Sequence, residues 1–190
     1  MTVLEQYVKS YFGLVHEDEL KTISSMFREE KLKKGAYFLQ SGKSSDKLSF
    51  VKSGILRIFS ATEHKEVTQW ISTEGYFVTD LSGFIFENPA RWTIQALTDT
   101  ELFTIKREGY KKIGGLVPKW FELEKLFITR CFITLEDRIF THLSMTAEER
   151  YDLFFEKNKN LFNQVPLQYI ASMLGMTPET FSRIRKKQLS

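Results

Sequence analysis

A single cysteine, Cys131, stands in the 190 residues. One thiol excludes an intramolecular disulfide, a thiolate cluster for structural zinc and a four-cysteine iron–sulfur sensor. Its neighbours Phe132 and Ile133 mark it as an apolar filler. No apolar run reaches the about 18 residues needed to cross a bilayer, and the opening MTVLEQYVKS has no long apolar segment behind basic residues. The sequence therefore reads as a soluble, cytoplasmic protein with no membrane partner. Histidine is as scarce. His16, His64 and His142 lie far apart with no ligand or nucleophile at motif spacing, so no catalytic residue and no metal site are assigned. Asp80 and Glu87 could be drawn as an acid/base pair, but nothing positions a substrate between them, and a surface loop accounts for Glu87. An enzyme is not expected.

What is present is apolar and unevenly charged. With 42% hydrophobic residues and 17 Phe the chain has ample material for a core. The last 28 residues hold four of the 27 basic side chains (Arg183, Arg185, Lys186, Lys187) and one of the 24 acidic ones (Glu179), so all of the net +3 lies there. Clustered cations at one end point to an anionic partner.

Leu4, Tyr7, Val8, Tyr11 and Phe12 follow helical spacing, as do Leu20, Ile23, Met26 and Phe27 behind the acidic turn Glu17-Asp18-Glu19. From about Lys34 the pattern becomes short β-type runs broken by glycine: 36–39, 48–52, 55–60, 67–71, 76–79, 92–97 and 101–105. These predict an antiparallel barrel or roll. Pro118 opens a long helix to about Met145. Ile128, Phe132, Leu135 and Ile139 recur on it at coiled-coil-like steps, while Leu123, Leu126, Phe127 and Ile133 form a second stripe. A helix needing cover on two sides packs on its own domain and on another chain, which predicts a homodimer. Thr146 with Glu149 is a capping box opening a further helix through Phe155.

The closing segment reads as helix, tight turn, helix. Leu167, Ile170, Ala171 and Leu174 share one face, Gly175 supplies the permissive turn residue, and Thr177 is an N-cap with Pro178 in the first helical position. Phe181 and Ile184 should face the first helix, leaving Glu179, Ser182, Arg183, Lys186 and Lys187 towards solvent. Such a face suits the major groove, because Arg bonds guanine bidentately and a carboxylate accepts from the cytosine amino group. Glu179 and Arg183, four apart, share that face and can pair. A helical hairpin with a solvated basic end is the plainer alternative.

The run Gln168-Tyr169-Ile170-Ala171, Leu174-Gly175-Met176-Thr177, Glu179-Thr180 and Ser182-Arg183-Ile184 resembles the helix-turn-helix of the cyclic-AMP receptor protein (Crp/Fnr) family. Pro178 stands where that family's second helix typically has its first Arg. The resemblance implies that Glu179 and Arg183 read bases, with Thr177, Pro178, Ser182, Lys186 and Lys187 completing the contact surface. It extends upstream: Leu32, Lys34-Gly35, Gly42, Leu48, Phe50-Val51, Gly54 and Leu56-Arg57 resemble the first half of a cyclic-nucleotide-binding β-roll, and Gly75 to Val78 with Ala96 to Leu102 its second half. It implies an α+β fold in three parts. These are an N-terminal antiparallel β-roll (a double-stranded β-helix) with flanking helices over 1–117, a dimerisation helix over 118–145, and a C-terminal helix-turn-helix domain over 146–190. The implied partners are double-stranded DNA, a second copy, RNA polymerase and a small-molecule effector.

Two departures matter. In nucleotide-binding members an acidic residue grips the ribose and an Arg followed by Ser or Thr binds the cyclic phosphate. Counting from Gly75, Asp80 falls on the acidic position, but Ala90 falls on the phosphate Arg and Arg91 on the hydroxyl. The implied effector pocket is Thr79, Asp80, Leu81, Ser82, Ala90, Arg91 and Trp92. Without the guanidinium, cyclic nucleotide is expected to bind weakly or not at all. The sequence also stops at Ser190, where relatives carry a β-hairpin wing, so phosphate contacts from a wing are expected to be absent. A roll that no longer reads DNA and serves only small-molecule or protein contacts is the alternative function.

Overall fold

The computed structural model describes residues 1–13 and 15–188. Its contacts divide the chain into two units, 1–58 with 72–132 and 59–71 with 133–190. The expected boundaries at 117/118 and 145/146 do not coincide with this division, which cuts the long helix in its middle and assigns a β-hairpin to the C-terminal unit.

The first unit is the α+β roll with its helices. Helices α1 (Val3–Phe12) and α2 (Glu17–Ser25) precede β1 (Arg28–Leu32), β2 (Tyr37–Leu39), β3 (Lys47–Ser53) and β4 (Leu56–Ala61). Then come β5 (Glu66–Ser72), β6 (Phe77–Val78), α3 (Leu81–Phe86), β7 (Thr93–Ala96), β8 (Thr100–Lys106) and α4 (Arg107–Leu116). One antiparallel sheet has the order β1-β8-β3-β6, with Arg28 opposite Thr104, Phe50 opposite Phe103 and Ser49 opposite Val78. In the other, β2 pairs with β7. β1 was not expected from the sequence. It is an edge strand with no apolar alternation, stitched by ion pairs Lys47–Glu30 (2.6 Å), Lys52–Glu29 (2.9 Å) and Lys31–Glu101 (2.7 Å).

Helix α5 (Trp120–Ser144) begins two residues after Pro118, which lies in the preceding turn. In its first half Trp120, Leu123 and Phe127 are buried with Leu4, Val8, Phe12, Phe50 and Ile113. Phe12 stacks on Trp120 at 5.1 Å and on Phe127 at 5.0 Å, and Tyr110 meets Trp120 edge-on at 5.2 Å. The inward stripe is therefore 120/123/127. Leu126 and Ile133, assigned to it from the sequence, are exposed and join the open face instead. Cys131 is half-buried, and loss of solvent pushes its thiol up to about 11, as an inert filler requires.

In the second unit Phe59–Ile71 forms the end of the β4–β5 hairpin, and the rest of α5 is followed by α6 (Ala147–Asn158), a 3-10 turn at Lys159–Asn163, α7 (Leu167–Met173) and α8 (Pro178–Gln188). The capping box forms as expected: Thr146 Oγ1 accepts from Glu149 N–H and the Thr146 N–H donates to Glu149 Oε2 at 2.7 Å. That N–H and the Thr146 hydroxyl, which donates to the same Oε2 at 2.8 Å, hold the Glu149 carboxyl below its usual range. Tyr151, Phe162 and Phe181 make a three-ring core, with Phe181 5.2 Å from Tyr151 and 5.9 Å from Phe162. That core seats α8 on α6.

Candidate nucleic-acid interface and ligand cassette

The turn between α7 and α8 is built by hydrogen-bond accounting. A helix ends with carbonyls that have no partner inside it. Met176 N–H reaches back to Ala171 C=O at 2.9 Å and Gly175 N–H to Ser172 C=O at 3.1 Å, the crossed pair that ends a helix on a left-handed residue. Gly175 supplies that conformation, with φ +70°. Thr177 then opens α8, its Oγ1 accepting from Thr180 N–H at 3.2 Å.

Two carbonyls remain, and two arginines take them. Arg138 of α5 donates through Nη2 to Met173 C=O at 3.1 Å, and Arg150 of α6 through Nε to Leu174 C=O at 3.0 Å. Arg150 also donates to Met145 C=O at 2.7 Å, closing the end of α5. Neither arginine was singled out in the sequence. The unsatisfied end of a helix before Gly175 was the available signal, but which cation meets it depends on tertiary placement.

On α8, Phe181 and Ile184 are buried while Thr177, Pro178, Glu179, Ser182, Arg183, Lys186 and Lys187 are exposed. The seven residues named from the sequence thus lie on one outward surface. Glu179 is held below the usual carboxylate range, first by its own backbone N–H and then by the Thr177 hydroxyl, so its charge is fixed at the start of the helix. Lys187 differs from its neighbours in carrying an ion pair with Glu148 of α6 at 2.7 Å. Part of its charge is engaged within the protein, which makes Lys186 the better candidate for a phosphate contact.

In the roll, of the cassette residues Thr79, Asp80, Leu81, Ser82, Ala90, Arg91 and Trp92, the backbones of Arg91 and Trp92 meet the Asp80 carboxylate, while Thr79, Ser82 and Ala90 bond elsewhere. Asp80 is 2% exposed. Its Oδ1 accepts from Gly83 N–H at 2.8 Å, and its Oδ2 from Arg91 N–H at 2.7 Å and Trp92 N–H at 3.1 Å. Gly83 is needed for this fit, since a Cβ there would stand 2.8 Å from Ser45 Cβ and 3.0 Å from Asn88 C=O. Thr79 Oγ1 donates to Lys47 C=O, and Ser82 Oγ accepts from Asn88. Arg107 crosses beneath, donating to Ser45 C=O at 2.5 Å and Gly83 C=O at 3.0 Å. Glu87 pairs with Lys111 at 2.9 Å and Arg107 at 3.2 Å, and the Lys111 contact lowers its carboxyl. Ala90 is buried, with its N–H bonded to Lys43 C=O. Arg91 is exposed and lies over the Trp92 ring, 4.9 Å from its centroid.

Both oxygens of Asp80 are therefore engaged by their own chain. Asp80→Ala would strip three N–H groups of their acceptor, each costing about 1–3 kcal/mol if left unpaired. A loss of roughly 3 kcal/mol or more is expected, read as a lowered urea midpoint at unchanged slope.

Residues 29–113 match the family model described as cyclic nucleotide-binding domain. In fold, this stretch is similar to a cyclic nucleotide-binding domain. No curated protein matches the sequence. Among solved structures, FixK2 from Bradyrhizobium japonicum is 19% identical over 85% of this chain and 83% of its own, with a TM-score of 0.71. The c-di-GMP responsive global regulator CLP of Xanthomonas campestris is 15% identical over 92% of each chain, at 0.66. The catabolite activator protein of Thermus thermophilus is 21% identical over 93% of this chain and 85% of its own, at 0.58. At these identities the likeness establishes the fold. Among the described residues no helix is long and apolar enough to cross a membrane, and no group of acidic, His or Cys side chains could hold a metal.

Proposed function

We propose that the chain is a homodimeric, sequence-specific DNA-binding transcription regulator that reads the major groove through α8. The observation that carries this reading is the face of α8. Phe181 and Ile184 anchor the helix, and Glu179, Ser182, Arg183 and Lys186 are exposed on the other side, behind a well-closed turn. Base-edge donors and acceptors on a rigid short helix are what groove recognition requires. In this reading 1–117 is the sensor part, 118–145 the dimer helix and 146–190 the reader. A gel shift on genomic fragments tests it: retardation at low salt should fall steeply as salt rises, because bound Lys and Arg release counterions from the duplex. No retardation at low salt would refute it and favour a roll that serves only small-molecule or protein contacts.

The same reading includes a weak nucleotide site. Ala90 brings no cation to the phosphate position, Arg91 lies over Trp92 and Asp80 is already bonded to three N–H groups. Calorimetry with cyclic AMP and cyclic GMP should give dissociation constants above about 1 mM, a binding energy weaker than about 4 kcal/mol. Micromolar binding that disappears in Arg91→Ala would contradict this.

A further inference from the structure

The β4–β5 hairpin and α5 meet α7 at a cluster of polar bonds that DNA reading by α8 does not itself explain. Arg138, half-buried on α5, donates through Nη2 to Met173 C=O and through Nη1 to Gln69 C=O of β5, and its guanidinium lies over the Trp70 ring, 5.4 Å from the centroid. One residue earlier on α7, Ser172 Oγ accepts from the N–H of Thr68 at 2.9 Å. Thr68 is itself buried. Arg150 takes the neighbouring carbonyl of Leu174. All of these residues belong to the C-terminal unit.

The chemistry is specific. The end of α7 carries the negative pole of its dipole, and two guanidiniums on different helices cap its last two free carbonyls immediately before Gly175. A guanidinium holds a planar set of donors, so bonding to Met173 and Gln69 together fixes direction as well as distance. Burial disfavours the Arg138 charge, and the cost of desolvating a cation is recovered only when good acceptors meet it. A cation of this kind makes a stiff joint.

We propose that Arg138, braced by Gln69, Trp70 and the Thr68–Ser172 bond of the β4–β5 hairpin, is a positioning residue that sets the placement of the helix-turn-helix on the dimer helix and thereby the half-site spacing the protein accepts. This rests on the DNA-reading proposal above. Leu135 and Ile139 of the dimer seam flank Arg138 on α5, so the clamp lies between the contact that fixes the two-fold axis and the turn that launches α8. A reader held rigidly there meets successive grooves at one separation only. Released, it keeps its base contacts and must be ordered on binding, which costs affinity.

The test is selection of operators from random duplexes by the wild type, by Arg138→Met and by Ser172→Ala, the last too small a change to endanger folding, with sedimentation confirming that each variant is dimeric. The wild type should enrich one spacer length. Both variants should enrich the same half-site motif with spacers varying by about 1–2 base pairs, and bind the wild-type site about tenfold more weakly in Arg138→Met. Exchange of the Thr68 amide should quicken in both. Variants that keep the wild-type spacer overturn the clamp alone, whereas a wild type that enriches no motif refutes the DNA reading on which it rests.

Discussion

Phe132→Glu combined with Leu135→Glu should convert a dimer into monomers at tens of micromolar, read by sedimentation velocity. Along α5 the residues Ile128, Phe132, Leu135 and Ile139 are exposed, Phe132 at 59% and Ile139 at 60%, and Leu126, Ile133, Phe140 and Leu143 widen the face. An open apolar surface on that scale marks an interaction site. Each such side chain contributes about 1.5–3 kcal/mol when fully buried, and two glutamates per chain would bring like charges together across a two-fold axis. The buried stripe Trp120, Leu123 and Phe127 is untouched, so the monomer should remain folded. DNA affinity should fall by about 10²–10⁴, because two linked readers become two independent ones. A wild type that sediments as a folded monomer at the same concentration would contradict the dimer.

Arg183→Ala should weaken the preferred site by about 1–3 kcal/mol, roughly 5- to 150-fold, and relax selectivity mainly at one base pair of each half-site. Arg183 is exposed on the outward face of α8, one turn beyond Glu179, where a bidentate bond to guanine can form. Lys186→Ala should behave differently. A phosphate contact carries no sequence information, so its loss should weaken all duplexes alike and reduce the salt slope by about one unit per subunit. Lys187→Ala should have a smaller effect than Lys186→Ala, because the Glu148 ion pair already engages its charge. Fluorescence anisotropy over a salt series separates the three.

Much of this surface was legible in the sequence because local chemistry decides it. Gly175 at positive φ, Thr177 as a cap and Phe181 with Ile184 at helical spacing require only neighbours within a turn or two, and each lies where the pattern places it. The strands of the roll were legible as short β-type runs broken by glycine, among them β3 and β4, each buried over four consecutive residues. The edge strand Arg28–Leu32 was not, since charge pairs across the sheet, rather than burial of its own side chains, hold it. α3, six residues of Leu-Ser-Gly-Phe-Ile-Phe, is too short for a period to declare itself; Asp80 caps it through Gly83 N–H, and the bonds that the same carboxylate accepts from Arg91 and Trp92 join residues eleven and twelve positions away. The split of α5 into inward and outward faces was placed one residue off at Leu126 and Ile133, because a helix that is apolar on most sides gives no internal sign of which stripe its own domain covers. The arginine grip on α7 was illegible for the same kind of reason: it joins residue 138 to 69 and 173, and residue 150 to 174.

The most direct measurement of the central claim is selection from random duplexes by the wild-type protein at low salt, followed by sequencing of the bound fraction. A dimer with α8 of each copy in successive major grooves should enrich a near-palindrome whose half-sites are about 34 Å apart along the duplex, and the same selection with Arg183→Ala should lose one base preference in each half. An unenriched pool, a motif without dyad symmetry, or a motif that Arg183→Ala leaves unchanged would contradict DNA reading by this face of α8.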